Sequence, residues 1–293
     1  MIFFIQKQLP HKERISSDRV RGQLRGAGLK ARKSLGQNFL VNEAVRDSII
    51  EAAGLSDADT VIEVGPGLGA LTEKLAAQAG RVIAVELDDS LAERLKNRLV
   101  RFSNIEIINA DILELDLSGL TGGGAYKVVA NIPYYITSPI LRFFMQAELR
   151  PSLMVIMMQE EVARDVTAKP GAMGFLAVSM RLFSVPRMIC RVPADCFYPA
   201  PRVDSAVVRF DVLPRPAVEV GNVEGFLELL HAGFKAPRKQ LHNSLAIGLG
   251  LEPAAADRIL RRAGIDSSRR PGTLTLDEWA ALYREAGAER ADA

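Results

Sequence analysis

Residues 131–141 read NIPYYITSPIL and follow YKVVANI, an apolar run with the character of a buried strand. Packing gives no reason to put an amide, a proline and two tyrosine rings at the tip of a core strand. Chemistry does. The exocyclic amine of a nucleobase is a poor nucleophile because its lone pair is delocalised into the ring. Two acceptors aimed at its two N–H bonds draw the nitrogen toward a tetrahedral shape and free that lone pair. The Asn131 side-chain oxygen is one such acceptor and the Ile132 backbone carbonyl is the other. Pro133 fixes the turn, and the Tyr134 ring offers a face on which a base can stack. Catalysis of this kind is mainly positioning, on a base that is unpaired or flipped out of its helix. The competing reading is an Asn-Pro turn with Tyr134 packed as core.

A second set of residues could hold the other reactant. VIEVGPGLGAL places Gly65, Gly67 and Gly69 between a strand and an expected helix, where glycines allow a tight turn and close approach of the backbone to a ligand. Glu86 ends the next strand, VIAVELDD, 21 residues after Gly65. A carboxylate there can accept from both hydroxyls of a ribose, although capping of the following helix is the plainer role. Asp111, in INADIL at the end of the third strand, can accept from an adenine amino group. Together they fit an adenosine-containing cofactor, and both NAD and S-adenosylmethionine satisfy this much. Glu63, just before the loop, adds negative charge that suits a cationic sulfonium better than a pyrophosphate.

These residues need a scaffold, and the periodicity supplies one. NEAVRDSIIEAAG has helical spacing and a stop at Gly54. Strands and helices then alternate: TVIEVG, GALTEKLAAQAG, RVIAVEL, DSLAERLKNRLVRF, IEIINAD, YKVVANI, SPILRFFMQAEL, SLMVIMMQ, EEVARDVTA, FLAVSMRLF and a last strand, AVVRFDVL. Apolar β-branched strands alternating with helices predict an α/β domain, doubly wound and Rossmann-like, with a mostly parallel sheet covered on both faces. VLPRPAVEVG reads as a proline-broken linker, and only helical patterns follow it. The expected organisation is a mobile basic arm over 1–32, the α/β domain over 33–213 and a small all-helical domain over 214–293.

Composition adds bounds. The 293 residues are 48% hydrophobic and 25% charged, ordinary for a protein with a large core. No apolar run approaches the ~20 residues that span a bilayer, so a cytoplasmic protein without a membrane partner is expected, and a monomer. The two cysteines, Cys190 and Cys196, and the three histidines lack zinc-ligand spacing, so neither a metal nor a disulfide is expected. The net charge of +2 conceals an asymmetry, because the first forty residues hold nine Lys or Arg against Glu13 and Asp18. Basic residues return between Lys235 and Arg270, in FKAPRKQ, RILRRAG and SSRRPG. Two basic stretches around a mildly acidic middle suit a polyanion. Lys235, Arg238 and Lys239, at helical spacing beside Pro237, are the expected phosphate contacts, with Leu241 and Leu245 pointing inward.

EVGPGLG, VELD, NAD and NIPY closely resemble the ribosomal RNA adenine N6,N6-dimethyltransferase family, specifically its housekeeping small-subunit type associated with kasugamycin sensitivity. KSLGQNFL (33–40), FYPAPRVDSAVVRF (197–210) and FKAPRKQLHNSL (234–245) extend the resemblance in order from about Lys33 to Leu282. The resemblance implies S-adenosylmethionine as cofactor, held by Asn38, Leu40, Gly65, Glu86, Asp111 and Asn131. It implies that Asn131 and Tyr134 line the target-base site and that Phe197 stacks on the base's other face. Ile132 stands where the family usually has Leu, which leaves the working carbonyl in place. The implied reaction is dimethylation of two adjacent adenosines in the terminal hairpin loop of small-subunit rRNA, within the assembling subunit. Rivals are a macrolide-resistance enzyme acting on large-subunit rRNA, a non-catalytic nucleic-acid-binding protein on the same fold, and an NAD-dependent oxidoreductase.

Overall fold

The computed structural model describes residues 20–22, 26, 31, 32 and 35–291. It divides into two compact units, one running to Ala163 and including Pro186–Val212, the other made of Arg164–Val185 and Leu213–Ala293. The linker starting near 213 coincides with this division, whereas residues 164–185, expected in the α/β domain, cluster with the C-terminal helices.

In the first unit, β1 (Phe39–Leu40) and α1 (Glu43–Ala53) precede β2 (Thr60–Val64), α2 (Thr72–Ala76), β3 (Arg81–Glu86), α3 (Asp89–Arg98) and β4 (Ile105–Asn109). Then come α4 (Leu117–Thr121), β5 (Lys127–Asn131), α5 (Thr137–Gln146), β6 (Leu153–Gln159) and α6 (Glu160–Thr167). After α7 (Phe175–Phe183) follow β7 (Ser184–Val192), β8 (Phe197–Tyr198) and β9 (Ser205–Val212). Seven strands form one sheet in the order β4-β3-β2-β5-β6-β9-β7, and β1 pairs separately with β8. The pairs among β2 to β6 are parallel, and β9 runs antiparallel to β6. The central strands bury almost every side chain, because helices cover both faces of such a sheet. α1 starts where Asn42 Oδ1 accepts from the Val45 N–H at 3.0 Å and stops at Gly54, whose φ of 51° is left-handed.

β7 is absent from the sequence reading. Its burial alternates, with Ser184, Pro186, Cys190 and Val192 inside and Val185, Arg187 and Arg191 outside. Pro186 disguises it, since a proline cannot donate to a ladder and argues against a strand anywhere but at a sheet edge. An edge is where β7 lies. Of the expected arm, only residues 20–22, 26, 31 and 32 are described. Val20 is buried against Phe39, Val41, Leu68 and Leu91, and the Arg21 guanidinium lies over the Tyr198 ring. Residues 1–19, 23–25, 27–30, 33 and 34 lie outside the described residues.

The second unit adds α8 (Val223–Gly233), α9 (Leu241–Leu249), α10 (Pro253–Arg262) and α11 (Leu276–Ala291) to α7. Its centre is Trp279, fully buried and stacked on Phe234 at 5.4 Å between ring centroids. Leu241 and Leu245 point inward as expected. The basic residues beside them are not helical. Residues 234–240 form a turn, closed by a Lys239 N–H to Ala236 C=O bond of 2.9 Å, and α9 begins only at Leu241. Pro237 sits at the second position of that turn, where its fixed φ belongs. Lys235, Arg238 and Lys239 are therefore exposed turn residues rather than one helix face. Arg269, from the other basic stretch, is committed internally to Glu278 and the Thr273 carbonyl.

Among the described residues no helix is long and apolar enough to cross a membrane, and no group of three His, Cys, Asp or Glu could hold a metal. Cys190 and Cys196 are both buried free thiols.

Candidate active site

The sheet order fixes where a ligand can sit. β2 has β3 on one side and β5 on the other, so the chain reverses its direction of winding there. In open α/β sheets such a switch point leaves a crevice beyond the carboxyl ends of the strands. Gly65 follows β2, Glu86 ends β3, Asp111 lies just after β4 and Asn131 ends β5. All four line a cavity of about 270 Å³ in the first unit, joined by Asn38, Leu40, Glu63 and Tyr134.

The glycine loop turns through left-handed conformations at Gly65, Gly67 and Gly69, with φ of 66°, 59° and 78°. Gly67 is needed for space as well, since a Cβ there would lie 3.2 Å from the Phe39 ring. The destinations of the three N–H groups decide what the loop can bind. Gly65 donates to the Val85 carbonyl at 2.9 Å and Gly69 to the Pro66 carbonyl at 2.9 Å. Gly67 donates to Glu86 Oε2 at 2.9 Å. Every glycine donor is spent inside the protein, so the three glycines offer no N–H to a pyrophosphate. Nor does a helix dipole favour one, because α2 starts only at Thr72 and is five residues long. The helix expected over the whole of 69–80 is reduced to this single turn and a half.

The cavity is acidic instead. Glu63 is 1% exposed, and its Oε2 has no hydrogen-bond partner among the described residues. Burial pushes its carboxyl up to about 8. Glu86 is also buried, and burial raises it too. Its Oε1 accepts from the Asp88 N–H at 3.0 Å. The cap of α3 is Asp88, whose Oδ1 accepts from the N–H groups of Ser90 and Leu91. Glu86 is thus left at the cavity wall with its carboxylate held by two backbone donors. Asp111 Oδ1 accepts from the Leu113 N–H at 2.9 Å. The two arginines on the cavity wall are paired, Arg46 with Glu43 at 3.1 Å and Arg98 with Glu73 at 2.9 Å. Buried carboxylates without free counter-charges suit a cationic nucleoside rather than a polyanionic dinucleotide.

On the other side of the crevice, Asn131 Nδ2 donates to the Asn38 carbonyl at 3.3 Å. That bond orients the amide and leaves Oδ1 as an acceptor at the cavity. The Ile132 side chain is buried and anchors the carbonyl beside it. Tyr134 follows in a 3₁₀ turn over Tyr134–Ile136, and its hydroxyl bonds Ser205 Oγ at 2.7 Å. Burial, ahead of any other cause, raises that phenol's pKa. The segment carrying Asn38 is tied down at its other end, where Gln37 Nε2 donates to Asp88 Oδ2 at 3.0 Å and Arg32 pairs with the same oxygen at 3.3 Å.

Phe197 is the exception among the expected site residues. It is 4% exposed, pairs with Leu40 in the β1–β8 ladder and packs with Val207 in the core. It does not line the cavity, so the second ring face expected of it is not offered in this structure. Sequence reasoning passed over Gln37, Asp88 and Ser205, which position other groups. Only Asp88 left a trace, as an acid at a helix start.

Residues 28–285 match the family described as ribosomal RNA adenine dimethylase. The chain is 47% identical over 264 residues to the ribosomal RNA small subunit methyltransferase A of Dehalococcoides mccartyi (strain CBDB1), covering 89% of this chain and 90% of that protein. Its fold is similar to a dimethyladenosine transferase from Plasmodium falciparum, with a TM-score of 0.74, 24% identity and coverage of 86% and 98% of the two chains. The 23S rRNA methyltransferase ErmE is similar at a TM-score of 0.68 and 28% identity, covering 85% of this chain and 99% of that one. An acidic cavity at the switch point, with the loop's three glycine donors already spent, agrees with S-adenosylmethionine rather than with the NAD-dependent alternative. The chain belongs to the ribosomal RNA adenine dimethylase family and is an S-adenosylmethionine-dependent RNA adenine methyltransferase.

Proposed function

We propose that the chain transfers methyl groups to N6 of two adjacent adenosines in the 3′-terminal hairpin loop of small-subunit rRNA, during subunit assembly. The observation that carries the chemistry is the Asn131 amide, pinned through Nδ2 to the Asn38 carbonyl. Its Oδ1 and the Ile132 carbonyl are then the two acceptors for the amine N–H bonds. The Tyr134 ring, steadied by Ser205, is the stacking face. Glu86 accepts from the ribose hydroxyls of the cofactor and Asp111 from its adenine amino group, with Asn38, Leu40 and Gly65 forming the wall. Glu63 faces the cationic end. When bound, S-adenosylmethionine supplies a methyl group made electrophilic by its sulfonium. Lys235, Arg238 and Lys239 make phosphate contacts, which set register without reading bases.

The choice of the small subunit is supported by identity. The small-subunit enzyme of Dehalococcoides mccartyi is 47% identical, whereas ErmE, named for 23S rRNA, is 28% identical. The test supplies methyl-labelled S-adenosylmethionine with unmethylated small and large subunits, then maps the modified bases. Label on the paired adenosines of the small subunit is the expected result, and label confined to the large subunit overturns it. Asn131→Ala is expected to lower turnover by ~10²–10³, as when one oriented polar group is lost from a reacting centre. Cofactor affinity should stay within a few fold. Turnover within tenfold of the parent would end the acceptor role.

A further inference from the structure

Tyr135 follows Tyr134 in the same 3₁₀ turn and also lines the cavity. The two rings are used differently. Tyr134 is half-buried with its hydroxyl on Ser205. Tyr135 is 58% exposed, and among the described residues no hydrogen bond of its hydroxyl is found. Single exposed apolar groups are common on protein surfaces, so exposure alone carries nothing. Position does.

The ring lies beside Gly36. A Cβ built on Gly36 would lie 3.5 Å from Tyr135 Cδ1 and Cε1 and 3.2 Å from Pro133 Cβ. A side chain on Gly36, at φ +61°, would therefore meet one edge of the ring and the proline that fixes the turn, and glycine leaves that edge uncrowded. What results is an exposed aromatic surface at the rim of the cavity, one residue beyond Tyr134. A base drawn out of its stack leaves its neighbour with an uncovered face. Exposed aromatic rings bind unpaired RNA by taking over that lost stacking.

We propose that Tyr135 stacks on the nucleotide next to the reacting adenine and so acts as a substrate-positioning residue selective for unpaired RNA. This rests on the small-subunit reading in one respect, that the neighbour is then the second adenosine of the pair. Tyr135 would hold one adenosine while the other reacts.

The test is a double-perturbation cycle on kcat/KM. Small subunits carry the terminal hairpin either intact or with the neighbouring adenosine replaced by an abasic nucleotide, and parent enzyme is compared with Tyr135→Ala and Tyr135→Phe. On intact RNA, Tyr135→Ala should lower kcat/KM by roughly tenfold or more, the scale of one base–aromatic stack. On abasic RNA the same variant should lose less than about twofold, because the stack is already gone. Tyr135→Phe should restore most of the loss, since stacking needs no hydroxyl, and cofactor affinity should not follow the Ala change. Equal losses on both RNAs, or a Phe variant as slow as the Ala variant, would overturn the proposal. Failure of the parent enzyme to label small subunits would overturn the small-subunit reading instead. The cycle is then run on the RNA that the parent does label, with the abasic nucleotide beside the mapped adenosine.

Discussion

Glu63 combines two conflicting properties: deep burial and, among the described residues, an oxygen without a hydrogen-bond partner. Its consequence for stability can be signed. The folded protein holds the Glu63 proton up to about pH 8, while an unfolded glutamate releases it near its ordinary value of ~4.3. Between those values the native state binds more protons than the unfolded state, so stability falls as pH rises through that window and levels off above it. Cofactor-free protein should therefore melt lower at pH 8.5 than at pH 5.5, and Glu63→Gln should remove part of that slope. Identical slopes for parent and variant would show that Glu63 is not the titrating group. A cation bound beside Glu63 opposes the trend by favouring the carboxylate, so cofactor affinity in the parent should rise across the same window. At this scale the placement of Gly65, Glu86, Asp111 and Asn131 around the cavity was legible, because they stand at or just after strand ends that periodicity locates. Phe197 was not legible. A sequence carries no sign of which way a ring points from a two-residue strand, and here it points into the core.

Elements decide how closely side chains and backbones may approach. The alternation of strands and helices was readable because the central strands are apolar throughout, and no other arrangement buries them on both faces. Elements set by a few local bonds were not readable. α2 shrinks because the glycine loop uses up the turn expected to begin it, and the basic stretch stays irregular because Pro237 and the Lys239–Ala236 bond close it early. Gly248, in α9, shows the same dependence on neighbours. In an exposed helix interior, replacing glycine by alanine gains about 1 kcal/mol. A Cβ on Gly248 would instead lie 2.2 Å from the Ala232 carbonyl oxygen and 2.5 Å from its Cα. Those are backbone atoms of α8, so the two helices must move apart, at an overpacking cost of about 1–3 kcal/mol. Gly248→Ala should lower the melting temperature by several degrees. Gly287→Ala, in α11 with nothing within 4 Å of its Cβ position, should leave the melting temperature level or raise it. A Gly248→Ala protein that melts no lower than the parent would mean that α8 and α9 do not cross this closely.

For the whole molecule the relevant quantity is the distribution of charge around a net +2. The cavity is lined by buried carboxylates, while Lys235, Arg238 and Lys239 are exposed on the turn before α9. The turn is anchored from within, since Ser244 Oγ accepts from the Ala236 N–H at 3.0 Å and the Leu241 N–H donates to the Arg269 carbonyl at 2.7 Å. Its backbone is thus fixed, and its charged side chains are free of the core. Loss of helical spacing changes what the cluster can do. Three exposed cations on a turn form no stripe along a helix face. Phosphate contacts release counterions on binding, and each one removed should flatten the dependence of log K on log salt by roughly 0.7–0.9. The double substitution Arg238→Glu and Lys239→Glu is therefore expected to weaken binding to small subunits and to flatten its salt dependence by one to two units of slope. Cofactor affinity should not change, because neither residue lines the cavity. Melting temperature should hold within a degree or two, because exposed charges with no buried partner contribute little to stability. Filter binding across a salt series measures the slope, and calorimetry with cofactor alone measures the control. A slope equal to the parent's would leave the patch as solvated surface and move the RNA contacts to other cations. A loss of cofactor affinity would show that the turn supports the fold rather than the substrate.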